Sequence, residues 1–240
     1  MQLRIMSFNT QHCLNYLTRQ GDFERMAEAI LECKADIVGL NEMYNLGSPT
    51  HPELLKQTEK LAQLTGLSYH YFACALDFYQ GIPIQYGNGI LSRYPILSAE
   101  TIPVDEPADR SLCPHYEPRC VLKATIDAGS KITVMTTHFG LAPAEQDCAV
   151  NTVMRAMERE KCILMGDFNV LPDNPVLAPI RDQMKDCADL FEAEKLSFPS
   201  DQPDRKIDYL FLSQDITPLA ADIPAIIASD HRPHTALIDI

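Results

Sequence analysis

Two stretches of the sequence place polar side chains directly after apolar runs. Cys162–Gly166 is mostly apolar and leads to Asp167 and Asn169, a pattern typical of a buried strand that ends abruptly. Residues two apart on an extended segment point to the same side, so both side chains should enter one pocket. Near the other end of the chain, the apolar Ile226–Ala228 is followed by Ser229-Asp230-His231. These two predicted strand ends indicate one polar site at one edge of a sheet.

The same arrangement recurs elsewhere in the chain. Predicted strands end on Asn9, on Glu42 and just before His138, and the predicted strand 206–212 carries Asp208. The resulting set combines amides, carboxylates and imidazoles at or near predicted strand ends. The sequence has no CxxC pair, which argues against a zinc ribbon or a redox motif.

Helices and strands alternate along the chain, which is the pattern of an α/β fold. Helices are predicted after Asp22, after a Thr50–Glu53 capping box, over Pro143–Glu160 and from Asn174 to Ile180. A β-hairpin is predicted from Arg119–Asp127 and Lys131–Thr137. Because no linker or repeat interrupts this alternation, we expect one α/β domain over residues 1–240.

Three segments are predicted to be loops that line the entrance to the site. They are Asp77–Tyr86, Pro103–Pro118 and Leu196–Arg205. Gly87-Asn88-Gly89 has the composition of a turn. Binding residues are often found on loops that a rigid scaffold positions, so these three segments should set substrate preference.

The composition limits the classes of function. The net charge of −13 disfavours broad electrostatic binding to nucleic acid, which needs clustered lysine and arginine. A hydrophobic content of 46% is typical of a globular protein. No apolar run is long enough to span a membrane, and we expect no signal peptide. Although eight cysteines could pair, several lie in apolar patterns, so a reducing cytoplasm is the simplest prediction.

Taken together, these motifs resemble the endonuclease/exonuclease/phosphatase superfamily of metal-dependent phosphoesterases. They occur in the order of that family from one end of the chain to the other. The matching pieces are Ser7-Phe8-Asn9, Leu40-Asn41-Glu42, Asn88-Gly89-Ile90-Leu91-Ser92-Arg93-Tyr94-Pro95, Thr137-His138, Gly166-Asp167-Phe168-Asn169, Ile207-Asp208-Tyr209 and Ser229-Asp230-His231. The resemblance implies a two-sheet, four-layer α/β sandwich with the site at the top, between the sheets.

The resemblance also implies roles for these residues. Glu42 matches the ligand of a divalent cation, usually Mg²⁺ or Mn²⁺, and Asn9 and Asp230 match residues that contribute directly or through water. Asp167 and Asn169 would orient the attacking water and a phosphoryl oxygen.

Two histidines complete the implied catalytic set. His138 would donate to the phosphate, and Asp208 would orient His231. Asp167 and His231 both remain candidates for taking the proton of the attacking water. Arg93 and Arg119 are candidate substrate-binding residues, and an internal salt bridge is an equal alternative for each.

Three functions stay open from the sequence. The favoured one is a phosphatase or phosphodiesterase that acts on a small phosphorylated molecule. A nuclease acting on DNA or RNA is the first alternative, and a basic patch beside the pocket would support it. A non-catalytic binding module on the same scaffold is the second, although the complete polar set argues against it.

Overall fold

Two six-stranded β-sheets form the centre of the fold. The structure is a computed structural model and describes residues 1–46, 55–79 and 82–240. The strands are β1 Gln2–Asn9, β2 Ile37–Leu46, β3 Tyr69–Tyr79, β4 Ile82–Ser92, β5 Ile96–Pro103, β6 Cys120–Asp127, β7 Lys131–His138, β8 Cys162–Asp167, β9 Met184–Asp186, β10 Asp208–Ser213, β11 Thr217–Asp222 and β12 His234–Asp239. The helices are α1 Phe23–Glu32, α2 Gln57–Thr65, α3 Pro143–Ala156 and α4 Ala178–Arg181.

The two sheets are built in the same way around one central parallel pair. The first sheet has the order β11-β12-β1-β2-β4-β3, and the second has the order β5-β6-β7-β8-β10-β9. The pairs β1–β2 and β7–β8 are parallel, and the other pairs are antiparallel. Helices α1 and α3 connect the strands of the parallel pairs. In each sheet, therefore, the carboxyl ends of two neighbouring strands lie at one edge.

Three apolar layers hold the sheets and helices together. Between the sheets, Leu3 and Ile5 of β1 belong to the same cluster as Val134 of β7 and Leu210 of β10. A second layer lies between the first sheet and helices α1 and α2, and a third packs α3 against the second sheet. The predicted four-layer α/β sandwich is confirmed. All eight cysteines are free thiols.

The helix boundaries follow local capping chemistry. The Asp22 side chain accepts a hydrogen bond from the backbone N–H of Arg25, which fixes the start of α1 as predicted. Gly66 ends α2 in the left-handed conformation, which glycine adopts readily. The predicted Thr50–Glu53 capping box lies outside the described residues. In the described part of the chain, no helix has the length and apolar character needed to cross a membrane.

The β3–β4 hairpin corrects two predictions. The segment Asp77–Tyr86 was expected to be a loop, and Gly87-Asn88-Gly89 was expected to be a turn. Instead, β3 continues to Tyr79, and β4 carries all three residues of the supposed turn within the sheet. A Cβ atom at Gly87 would lie 2.0 Å from the backbone oxygen of Ala73. This glycine is therefore required by the close approach of two strands.

The end of the chain corrects another prediction. Ile226–Ala228 was expected to be a strand that delivers His231 to the site from its carboxyl end. The segment is irregular, and β12 begins only at His234. Ile226 and Ala228 instead pack on the apolar layer around α1 and α2. His231 therefore reaches the site from the loop that precedes a strand.

Candidate active site

Asp167 is the meeting point of the two sheets. It ends β8, and its side chain is 2% exposed. Its Oδ2 atom lies 3.0 Å from Nδ2 of Asn9, 3.5 Å from Nε2 of His138 and 3.6 Å from Nε2 of His231. Asn9 ends β1 and His138 ends β7, so the carboxyl ends of both parallel pairs converge on one carboxylate.

Asn9 connects this carboxylate to Glu42. Its Nδ2 atom also donates to Oε1 of Glu42 at 3.0 Å, and its Oδ1 atom accepts from the backbone N–H of Gln11 at 3.0 Å. In this arrangement Asn9 orients two carboxylates, and its oxygen keeps a second lone pair. Its predicted contribution to a metal site, directly or through water, stays a prediction.

Glu42 and Asn169 both hold the backbone in the left-handed region. Glu42 has φ +60° and Asn169 has φ +51°, a conformation that is uncommon outside glycine and is often found at functional sites. At Asn169 it allows the backbone N–H to donate to Oδ1 of Asp167 at 2.9 Å. The Asn169 amide also donates to the backbone oxygen of Phe139 at 3.0 Å and lies 3.1 Å from Nε2 of His138.

His231 is paired with Asp208, as the sequence predicted. Its Nδ1 atom lies 2.8 Å from Oδ2 of Asp208. Burial alone would lower the pKa of His231, but the charges of Asp208 and Asp167 outweigh burial and raise it to about 10. At neutral pH His231 is therefore a cation whose two N–H groups face these two carboxylates.

Burial affects the other titratable groups in different ways. It raises the pKa of Asp167 to about 7, with the positive charge of His231 opposing the shift. It lowers the pKa of His138 well below the usual histidine range, and the charge of Arg119 adds to this effect. His138 is therefore neutral. Because Arg119 can only donate to Nδ1, the neutral ring carries its proton on Nε2, which lies 3.1 Å from Nδ2 of Asn169 and 3.5 Å from Oδ2 of Asp167.

These contacts limit which residues could bind a divalent cation. Asp167, Asp208 and His231 offer ligand atoms within 4.8 Å of one another. Both nitrogens of His231 face carboxylates, however, so neither points towards an open position. Glu42 and Asp230 offer oxygen ligands instead. Burial raises the pKa of Asp230, and the charge of Glu42 raises it further, so a divalent cation between them would relieve their repulsion.

Two buried asparagines, Asn41 and Asn88, connect the sheets beneath the site. The Oδ1 atom of Asn41 accepts from the backbone N–H of Asp167 at 3.0 Å, and its Nδ2 atom donates to Oδ1 of Asn88 at 2.8 Å and to the backbone oxygen of Thr137 at 2.9 Å. Asn88 donates in turn to the backbone oxygen of Cys120. Neither amide was assigned a role from the sequence. The feature of the sequence that could have identified them is a polar amide inside an otherwise apolar strand.

Replacing Asn41 with alanine should lower the free energy of unfolding by about 2–4 kcal/mol, because three buried hydrogen-bond partners lose their contacts at once. Urea unfolding followed by circular dichroism would measure this change. The control is Asn151→Ala on the exposed face of α3, which should change the free energy by less than about 0.5 kcal/mol. Equal losses in the two variants would contradict the bridging role of Asn41.

Arg119 lies within the site, as predicted for a substrate-binding residue. It directly precedes β6, and its side chain is 13% exposed. Its Nη1 atom lies 2.9 Å from Oε1 of Glu117, 3.1 Å from Nδ1 of His138 and 3.2 Å from the hydroxyl oxygen of Tyr86. Among the described lysine and arginine side chains, it is the one hydrogen-bonded to this polar cluster.

Arg93 lies away from the site, and its predicted role in substrate binding is wrong. It follows Ser92, which pairs with Ile37 at the first position of β2, whereas Glu42 lies towards the other end of that strand. Its Nε atom lies 3.0 Å from Oδ1 of Asp36, and its side chain is 60% exposed. The alternative of an internal salt bridge describes Arg93 correctly. The motif that contains Arg93 has a structural role instead, because its residues Asn88 to Ser92 belong to β4.

His12 is a residue of the site to which the sequence motifs assigned no role. Its Nε2 atom lies 3.3 Å from Oε2 of Glu42, and its Nδ1 atom lies 3.2 Å from the backbone oxygen of the same residue. The ring packs on Tyr44 and Tyr86, with ring centroids 5.0 Å and 5.8 Å away. These contacts place an aromatic face beside Glu42. Only the proximity of His12 to Asn9 in the sequence could have suggested it.

Two open clefts elsewhere on the surface do not contain these polar residues. A cleft of about 480 Å³ runs along β11 and β12, and another of about 570 Å³ is lined by Lys195 and Arg205 among others. Neither contains the buried carboxylates and imidazoles described above. The polar cluster between the sheets is therefore the candidate active site.

The chain also matches one known family of proteins. A family model described as the Endonuclease/Exonuclease/phosphatase family matches residues 6–231. None of the curated proteins compared with this chain matches it significantly in sequence.

Three solved structures illustrate the range of similar folds. An endonuclease/exonuclease/phosphatase from Beutenbergia cavernae DSM 12333 is 21% identical, with a TM-score of 0.81 over 100% of this chain and 72% of that chain. A mannosyl-6-phosphatase from Bacteroides thetaiotaomicron VPI-5482 is 16% identical, with a TM-score of 0.78 over 99% of this chain and 100% of that one. D. rerio TDP2, complexed with single strand DNA product, is 17% identical, with a TM-score of 0.65 over 100% of this chain and 99% of that one. At these identities the likeness establishes the fold.

Proposed function

Because this chain belongs to the endonuclease/exonuclease/phosphatase family, we propose that it hydrolyses phosphoesters of small phosphorylated molecules with the help of Mg²⁺ or Mn²⁺. The observation that carries the proposal is the convergence of Asn9, His138 and His231 on the buried carboxylate of Asp167. Members of this family are generally hydrolases of phosphoesters. The cluster contains the acids, bases and hydrogen-bond donors that such a reaction needs.

Glu42 and Asp230 would hold the divalent cation. Both are carboxylates, which are the preferred ligands of hard cations. When bound, the cation would neutralise charge on the phosphoryl oxygens and on the leaving oxygen. Asn9 keeps Glu42 oriented through the 3.0 Å hydrogen bond from its Nδ2 atom.

The other residues of the cluster would have separate roles in the reaction. Asp167, with a pKa near 7, would accept the proton of the attacking water, and Asn169 would orient that water together with a phosphoryl oxygen. His231 already carries a proton at neutral pH, which suits charge stabilisation better than proton removal. Neutral His138 would donate from Nε2 to the phosphate.

A small substrate is favoured over nucleic acid by the charge of the site. The net charge of the chain is −13, and Arg119, the cation hydrogen-bonded to the cluster, is itself paired with Glu117. A nucleic-acid backbone needs several unpaired cations along its path. Similar folds include both a mannosyl-6-phosphatase and a protein bound to single strand DNA, so a nuclease remains the second candidate.

Hydrolysis of p-nitrophenyl phosphate and of bis(p-nitrophenyl) phosphate would test the proposal. The protein is first treated with a chelator and then supplied with Mg²⁺ or Mn²⁺. We expect release of nitrophenol that requires the added cation, and the faster substrate identifies a monoesterase or a diesterase. Faster cleavage of a single-stranded oligonucleotide than of either compound would favour the nuclease instead. Binding of the cation without turnover of any substrate would contradict the proposal.

A further inference from the structure

Glu42 turns one carboxylate oxygen towards Asn9 and the other towards His12. Its Oε1 atom accepts a hydrogen bond from Nδ2 of Asn9 at 3.0 Å, and its Oε2 atom lies 3.3 Å from Nε2 of His12. Both side chains are partly exposed, at 21% for Glu42 and 32% for His12. Those of Asp167 and Asp208 are 2% and 0% exposed. A cation from solution therefore reaches Glu42 and His12 more readily than the buried carboxylates.

The other ring nitrogen of His12 determines where the neutral ring carries its proton. Nδ1 lies 3.2 Å from the backbone oxygen of Glu42. Because a carbonyl oxygen can only accept a hydrogen bond, the proton is on Nδ1, and Nε2 presents a lone pair beside Oε2 of Glu42. Histidines that bind metals have this arrangement, in which one nitrogen donates to a backbone carbonyl or a carboxylate and the other binds the metal.

The 3.3 Å separation between Nε2 and Oε2 suits two ligands of one cation. A charged hydrogen bond from nitrogen to a carboxylate is about 2.7–2.9 Å long, as in the 2.8 Å contact between His231 and Asp208. The contact between His12 and Glu42 is longer. Two ligand atoms that each lie about 2.0–2.2 Å from the same cation, at nearly a right angle, are about 3 Å apart.

The backbone around His12 is held in an uncommon conformation. Gln11, His12 and Cys13 have φ values of +46°, +59° and +59°. Three consecutive residues other than glycine in the left-handed region are strained, and such strain is often found at functional sites. The buried side chain of Gln57 donates to the backbone oxygen of His12 at 2.7 Å. These contacts hold the imidazole against Glu42.

We propose that Nε2 of His12 is a further ligand of the divalent cation assigned to Glu42, so that the cation is bound through nitrogen as well as oxygen. The proposal rests on the cation site of the proposed function and adds a ligand to it. Imidazole nitrogen is a better ligand for transition-metal ions than for Mg²⁺, which prefers oxygen. His12 should therefore make the site prefer an ion such as Co²⁺ to Mg²⁺.

Calorimetric titration of the chelator-treated protein with Co²⁺ and with Mg²⁺ would test the proposal. We expect wild type to bind Co²⁺ at least about tenfold more tightly than Mg²⁺. His12→Phe keeps a ring that can pack on Tyr44 and Tyr86 but has no nitrogen. Its Kd for Co²⁺ should rise about tenfold or more. Its Kd for Mg²⁺ should change less than about threefold, because water replaces the lost ligand.

The matched control is His70→Gln, which removes an exposed imidazole on β3 and should leave both Kd values unchanged. Circular dichroism verifies that the variants are folded. Proton NMR of the Co²⁺-bound wild type gives a second readout that needs no folded variant at position 12. An imidazole bound through Nε2 should show a strongly shifted Nδ1–H signal that disappears in D₂O, and this signal should be absent from folded His12→Phe.

The sign of the change separates a ligand from an ion pair. If His12 is instead a cation paired with Glu42, His12→Phe removes a competitor and should tighten the binding of both ions. That result, an unchanged Kd for Co²⁺, or the absence of a shifted signal in wild type would overturn the proposal. These readouts do not depend on turnover. Ligation by His12 without hydrolysis of any phosphoester would contradict the proposed function alone, and cation-dependent hydrolysis without ligation would contradict this proposal alone.

Discussion

Asp167→Asn should lower kcat/KM by about a thousandfold or more, while the protein stays folded. The substitution keeps the size of the side chain and the hydrogen bond from the backbone of Asn169. It removes the one carboxylate that contacts Asn9, His138 and His231 together. A neutral amide can neither accept a proton from water nor balance the charge of His231, and each loss lowers the rate. Initial rates with p-nitrophenyl phosphate and Mg²⁺ would measure the effect.

The control for this prediction is Asp173→Asn, which changes an exposed aspartate a few residues along the same segment. It should retain the wild-type rate within about twofold. Circular dichroism of both variants verifies folding. If Asp167→Asn is folded and retains a tenth of the activity or more, Asp167 is not the base.

Asp208→Ala and His231→Ala should each lower kcat by about a thousandfold, and the double variant should be no slower than the slower single variant. The two side chains act as one unit through the 2.8 Å contact between Nδ1 of His231 and Oδ2 of Asp208. Removing either partner destroys the oriented imidazolium, so the second substitution has little left to remove. The rates of all three variants measure the coupling between Asp208 and His231 directly. Effects that multiply would show that the residues act independently.

The pair of His231 and Asp208 also makes the free energy of unfolding depend on pH. The pKa of His231 is about 10 in the folded protein and 6.5 in its ordinary state. The protonated ring therefore contributes fully to stability below pH 6.5, and the contribution is lost as the pH rises through 10. His231→Ala should be less stable than wild type by about 3 kcal/mol at pH 6, and the difference should shrink as the pH rises from 6.5 to 10 and not change further above that range. The exposed His115→Ala is the control and should show no such trend.

Part of the polar cluster could be predicted because Asp167 and Asn9 follow from a local rule. Both residues end their strands, as predicted, whereas β2 continues past Glu42 to Leu46, with an irregularity in its pairing with β4 between Leu40 and Met43. Parallel strands bring such ends to one edge of a sheet. The fold class followed from the alternation of helices and strands together with the family resemblance. None of these steps required knowledge of long-range contacts.

The predictions that failed depended on long-range contacts. Gly87-Asn88-Gly89 has the composition of a turn, but its glycines are needed because neighbouring strands approach closely, and Asn88 bonds across to the second sheet. Arg93 belongs to a matching motif, yet the antiparallel pairing of β4 with β2 places it at the opposite end of the sheet from Glu42. Composition reports what a segment can do locally, whereas strand register decides which residues meet.

The most direct test is the rate of phosphoester hydrolysis as a function of Mg²⁺ concentration for wild type and Glu42→Gln. We expect wild type to be inactive after chelation and to recover fully as Mg²⁺ is added. Glu42→Gln should need at least about tenfold more Mg²⁺ for half of its maximal rate, because a charged ligand is replaced by a neutral one. Hydrolysis that persists in the chelator, or the same Mg²⁺ dependence in both proteins, would contradict a metal-dependent phosphoesterase at this site.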